Sequence, residues 1–258
     1  MATVDIHRTK QAISEFNSTK PTRQLKSVLD QGSIYLVCEK ASKRNILSWF
    51  TSARSPGNWL FEAEALAQLL SLALDYNCQE LLQTLLQENA LLQDQKDQLL
   101  IEACEKGATF CIEPLIQKGA NVDAHNLTKH KKGWTPLLHA VKRGDRVSCE
   151  ILLKHDANVD IGFFGFTPLM QACQDGHLEI VKLLMKHKAS LLKQNDNDKM
   201  SPLAWACAFG QKRVVEELVK HKCDEQIQLA NRNGDMPQLV ASKCGHKEIA
   251  ELLRTLAD

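Results

Sequence analysis

The sequence predicts an all-α fold: a solenoid of stacked helix-turn-helix units with hairpin-like loops and a degenerate helical N-terminal part. Three observations carry this. First, four segments superimpose: GWTPLLHAVKRGDRVSCEILLKHDANVD (133–160), GFTPLMQACQDGHLEIVKLLMKHKASL (165–191), MSPLAWACAFGQKRVVEELVKHKCD (200–224) and DMPQLVASKCGHKEIAELL (235–253). Second, each carries an alanine followed four residues later by glycine, and these alanines recur at spacings of 32, 34 and 35. Third, apolar residues beyond the glycine keep helical spacing, as at Leu178, Val181, Leu184 and Met185.

Taken in order, residues 1–62 read as an N-terminal helical cap or degenerate repeat region, with a separate small helical domain as the alternative. Residues 37–50 echo residues 103–116, and the run from Ser52 to Asn58 is a turn-rich break that suits either reading. The repeat domain spans 63–258 as about six units: 63–92, 96–123, 131–160, 163–192, 197–225 and 231–258. In the first, Ala73 and Asn77 hold the alanine and glycine places; in the second, Ala103 and Gly107 do. Proline in the first helical turn forfeits no intrahelical bond, and the Thr or Ser before it can cap the helix. Glycine then ends the short helix in a left-handed conformation. Pro114 conflicts with this scheme, because it falls inside a second helix that it should kink or shorten.

These segments resemble the ankyrin repeat, whose signature is T-P-L-H-x-A at a period of about 33 residues. Thr135-Pro136-Leu137 and Thr167-Pro168-Leu169 match the opening of the motif, and Ser201-Pro202-Leu203 nearly does. Leu138, Met170 and Ala204 replace the motif histidine, and Met236-Pro237-Gln238 departs further. The Gly-Ala pair at 119–120 becomes Asp-Ala, Lys-Ala and Lys-Cys in later copies. The resemblance is strong over residues 99–253. It implies a non-enzymatic scaffold or adaptor that binds a protein partner through hairpin tips and the concave face of the repeats.

Composition narrows the function classes without choosing one. The 258 residues carry a net charge of +1, which argues against a generic nucleic-acid binder. Charge is uneven: residues 1–56 sum to +5, 57–117 to −8 and 118–258 to +4. No apolar run reaches the roughly 18 residues of a membrane span, and the start lacks the apolar stretch of a secretory signal. Nine cysteines, an odd number with no close C-x-x-C pair, favour a reducing compartment, so a cytoplasmic location is expected.

A search for catalytic or metal chemistry returns little. His155, His187 and His221 recur at one place in three units. Equivalent places in stacked helices lie roughly 8–10 Å apart, too far to share a zinc ion bound at about 2.0–2.3 Å. They read as solvated loop histidines, while His177 and His246 read as caps or braces of the turn after the glycine. Cys104, Cys111, Cys149, Cys173 and Cys207 fall in packing registers as small buried hydrophobes. Phosphate-loop, dinucleotide, H-E-x-x-H and G-x-S-x-G motifs are missing, so no cofactor, metal or small-molecule substrate is expected. Two rival readings stay open: a bacterial effector acting in a host cytosol through the same repeats, and an enzyme or regulatory subunit with a divergent N-terminal region.

Carried over position by position, the resemblance selects candidate partner-binding residues. They are Lys131, Lys132, Trp134, Lys142 and Arg143 in one unit, and Phe163, Phe164, Phe166, Gln174 and Asp175 in the next. Met200 and Phe209 follow. Three phenylalanines in one hairpin are unusual, since turns favour Gly, Asn, Asp and Ser. Clustered aromatics mark interaction sites, unless the rings fold back to fill gaps in the solenoid. The lysines and Arg143 would rim the patch and prefer an acidic rim on the partner.

Overall fold

The structure is a computed structural model that describes residue 74 and residues 91–125, 133–221 and 223–257. The expected N-terminal region 1–62, the unit 63–92 apart from Leu74 and Leu92, and most of the basic insertion at 125–132 lie outside the described residues.

Eleven helices and no extended strand occur among the described residues. Inner helices are α1 (Gln93–Lys106), α3 (Pro136–Arg143), α5 (Pro168–Asp175), α7 (Pro202–Ala208) and α10 (Pro237–Lys243). Their outer partners are α2 (Thr109–Gln117), α4 (Arg146–Lys154), α6 (Leu178–Lys186), α8 (Lys212–Leu218) and α11 (Lys247–Ala257). Each inner helix packs on the next inner helix, each outer on the next outer, and the two helices of a unit pack on each other. The short helix α9 (Cys223–Ile227) is an addition that the sequence does not announce; it leans on α11, and buried Gln226 ties it back to the Leu218 carbonyl at 3.0 Å.

The local chemistry follows the expected scheme. Thr135, Thr167 and Ser201 are buried, and their hydroxyls accept from the backbone N–H groups of Leu138, Met170 and Ala204 at 3.2–3.3 Å. Ala140, Ala172, Ala206 and Ala241 are wholly buried, so the smallest side chain stands where inner helices approach most closely. Gly107, Gly144 and Gly176 end their helices with φ between 72° and 77°. The conformation outlasts glycine elsewhere. Asp156 and Lys188 take the place of Gly119 at the end of an outer helix and keep a positive φ, 61° and 65°.

Two expectations need correction. Pro114 does not shorten α2, which has nine residues, as many as α4 and α6. Only one intrahelical bond is forfeited, the one that would have reached the Phe110 carbonyl. His177 and His246 brace the array but not their own turns. Each lays its ring over the glycine of the preceding unit, Gly144 and Gly210, and His246 Nε2 lies 3.2 Å from the Ala208 carbonyl. Gln211 does the same over Gly176, donating to the Gln174 carbonyl at 3.1 Å.

Asp145 caps α4 and joins two units. Its carboxylate accepts from the Ser148 N–H at 3.1 Å, the Ser148 hydroxyl at 2.5 Å and the Thr109 hydroxyl at 3.0 Å. Burial pushes its pKa up, but the Ser148 and Thr109 hydrogen bonds outweigh that and hold it below the ordinary value. The ionised form is therefore the stabilising one. Its contribution is complete above the unfolded value of about 3.9 and fades as pH falls through the lower folded value. Asp145→Ala should cost about 1–2 kcal/mol at neutral pH. Urea melts should show the gap from wild type narrowing below about pH 4.

Candidate functional site

Inner-helix positions and finger tips form columns along the array. At the helix column His139, Gln171 and Val240 are buried, whereas Trp205 is half-buried. Trp205 organises an aromatic cluster. Phe166 meets it edge-on at 5.1 Å with rings at 89°, and Phe209 stacks on it at 5.9 Å and 29°. Sequence reasoning missed Trp205. The signal was available, because it occupies the same register as His139 and Gln171, one turn before Phe209.

The three phenylalanines of the hairpin divide. Phe163 and Phe166 pair across a tight turn, with the Phe166 N–H donating to the Phe163 carbonyl at 3.0 Å. The central residues, Phe164 and Gly165, both have positive φ, 50° and 71°, the signature of a type I′ turn. Phe163 is half-buried and covers Gly133 of the preceding tip; Phe166 is half-buried against Trp205. Phe164 alone of the three is exposed, at 58%, with its ring tilted on Phe163 at 4.2 Å. Phe209 is exposed at 48%. Neighbouring tips are joined through backbone: Asp196 N–H donates to the Phe164 carbonyl at 2.9 Å, and Arg232 N–H to the Asp198 carbonyl at 2.8 Å.

The remaining candidates are partly committed within the chain. Trp134 is half-buried edge-on to His139 at 5.2 Å, and half-buried Met200 closes its own tip through the side-chain oxygen of Asn195 at 2.7 Å. Lys142 donates to Asp175 at 3.0 and 3.1 Å, and Gln171 donates to the same carboxylate at 2.6 Å. Arg143 is exposed but donates to the Glu105 carbonyl at 3.2 Å, with its guanidinium over Gly107. The expected basic rim is thus altered, since Lys142 is neutralised and Arg143 serves as an inter-unit brace. Gln174 is half-buried, and its carbonyl receives Gln211. Lys131 and Lys132 lie outside the described residues.

Nothing among the described residues groups three metal-ligating side chains. Half-buried His155 lies 3.5 Å from a Glu113 carboxylate oxygen, and His187 and His221 are exposed. Cys104, Cys111, Cys149, Cys173 and Cys207 are all buried, as their registers predict, and Cys244 is exposed. Burial pushes the thiols of Cys111, Cys149 and Cys207 up to about 12 and raises Cys104 and Cys173 as well. Such thiols hold almost no thiolate at neutral pH. Iodoacetamide labelling of the native protein, read by mass spectrometry, should modify Cys244 and spare those five.

A family model described as ankyrin repeats (3 copies) matches residues 69–162, 100–195 and 190–258. With the stacked helix pairs and finger tips in view, the chain belongs to the ankyrin-repeat family. Ankyrin repeats support a protein–protein interaction scaffold in general, and proteins of this family are generally non-enzymatic. No curated protein is similar enough to the chain to count as a match. Among the described residues, no helix is long and apolar enough to cross a membrane.

Proposed function

We propose that the chain is an adaptor that grips a protein partner with the concave face of its inner helices and its hairpin tips. Phe164, Phe166, Trp205 and Phe209 form the centre of the surface, and Trp134, Phe163 and Met200 flank it. Gln174, Asp175, Lys142 and Arg143 lie along its edge. Lys131 and Lys132, next to Trp134 in sequence, would favour acidic groups at that end of the partner. A cytoplasmic location is part of the same proposal, because five buried free thiols fit a reducing compartment.

One observation carries the reading. Phe164 holds a φ of 50° at the tip of a type I′ turn while its ring stands 58% exposed. Asn, Asp or Gly occupies such a place without cost, whereas a left-handed conformation at another residue costs about 1–2 kcal/mol. The ring returns little of that to folding, so its place is explained by a contact made outside the chain. Large aromatic anchors at exposed positions are the usual hot spots of protein recognition.

Affinity capture from cytosol with wild type and with the double variant Phe164→Ser/Phe209→Ser tests this. Proteins retained by wild type and lost with the variant, while the helical circular dichroism is unchanged, are the expected outcome. An identical set of captured proteins would refute the assignment of the surface.

A further inference from the structure

Three columns of the repeat are buried in every inner unit and uncovered in the last one. The cap column reads Thr135, Thr167 and Ser201, all buried, then Met236, 45% exposed. Three residues on, Leu138, Met170 and Ala204 are buried, whereas Leu239 is 45% exposed. A turn further, Val141, Cys173 and Cys207 are buried, and Ser242 is exposed. Glycine surroundings repeat the pattern independently. Side chains from the following unit roof Gly107, Gly144, Gly176 and Gly210, yet a Cβ on Gly245 would meet nothing within 4 Å. At the tips, Phe163 covers Gly133 and Asp196 lies against Gly165, while Gly234 is equally open.

The exposed side of α10 is therefore the stacking surface that α3, α5 and α7 each present to the next inner helix. A terminal unit normally turns a polar face outward. Here Ser242 obeys that rule, whereas Met236 and Leu239 break it. Met236 even puts a thioether where the inner units bury a hydroxyl.

We propose that this face is a homodimer contact, covered by the same face of a second copy of the chain across a two-fold axis. Its chemistry is continuous with interfaces the protein already builds between its own units. An isologous contact must be self-complementary, and a methionine and a leucine meet their own counterparts without desolvating polar groups. Like charges usually forbid such an approach. Around this face they occur as pairs: Lys243–Asp235 at 2.7 Å, Lys212–Glu248 at 2.8 Å and Arg254–Glu251 at 2.5 Å. Two copies thus bring neutral pairs together.

Sedimentation velocity on the full chain, over about 1–100 μM, reads the proposal directly. Wild type should show a reversible dimer with a dissociation constant on the order of 10 μM, weakened at least about tenfold by Leu239→Lys. Ser242→Leu, which extends the apolar face, should tighten the dimer. Leu239 is exposed, so its lysine variant should keep the wild-type circular dichroism and melting temperature. A wild type that stays monomeric throughout, or a dimer that both substitutions leave unaltered, overturns the proposal.

Discussion

Gly176→Val should lower stability by about 2–4 kcal/mol, and Gly245→Val by only about 1–2 kcal/mol. Both glycines end their turns in the left-handed region, at φ 76° and 86°, so both variants incur the backbone penalty of a side chain there. They differ in what lies above them. A Cβ on Gly176 would meet the Gln211 side-chain amide well inside contact distance, whereas on Gly245 it would meet nothing within 4 Å. Displacing Gln211 also removes its hydrogen bond to the Gln174 carbonyl, which joins successive units. Urea denaturation of the two variants isolates the roof as the difference between them. A double-mutant cycle with Gln211→Ala sharpens it: in that background Gly176→Val should cost only the backbone penalty. Equal losses at the two glycines would mean that the roofing side chains contribute nothing to stacking.

Those roofs mark where the sequence stops being legible. Local requirements are written at fixed spacings: a hydroxyl before proline, alanine at the closest approach, glycine at the left-handed turn. Each depends on its own few residues, so reading them needs no knowledge of the partner unit. The buried cysteines were legible for the same reason, since each stands in a register that other units fill with apolar residues. Contacts between units are different. Lys142 reaches Asp175 across 33 positions, and both had been read as groups facing a partner. His177 and His246 look alike in sequence to a helix cap, yet each serves the glycine of the unit before it. Trp205 was overlooked because it follows the motif prolines in a place usually hidden. It is half-exposed only because its neighbours at the tips are Phe166 and Phe209. Which of two long side chains crosses to the next unit is decided by rotamers and local polarity, and repeat spacing encodes neither.

Phe164→Asn should move stability and binding in opposite directions. Asparagine tolerates φ 50° at the first central place of a type I′ turn, so relief of strain should stabilise the fold by about 0.5–1 kcal/mol. The same change deletes an exposed aromatic ring from the centre of the proposed surface, where a hot-spot loss of about 2 kcal/mol corresponds to roughly a thirtyfold weaker complex. Thermal or urea melts read the first effect, and titration of the captured partner reads the second. Phe166→Asn makes the contrasting case. Phe166 is half-buried edge-on against Trp205 and donates its N–H within the turn, so its loss should lower both stability and affinity. Opposite signs at position 164 beside equal signs at 166 would separate a residue retained for recognition from one retained for packing. A destabilised Phe164→Asn variant would instead place that ring among the groups that hold the tip together. The exposed aromatic would then be a structural element of the hairpin, and the case for the surface would rest on Phe209 and Trp205 alone.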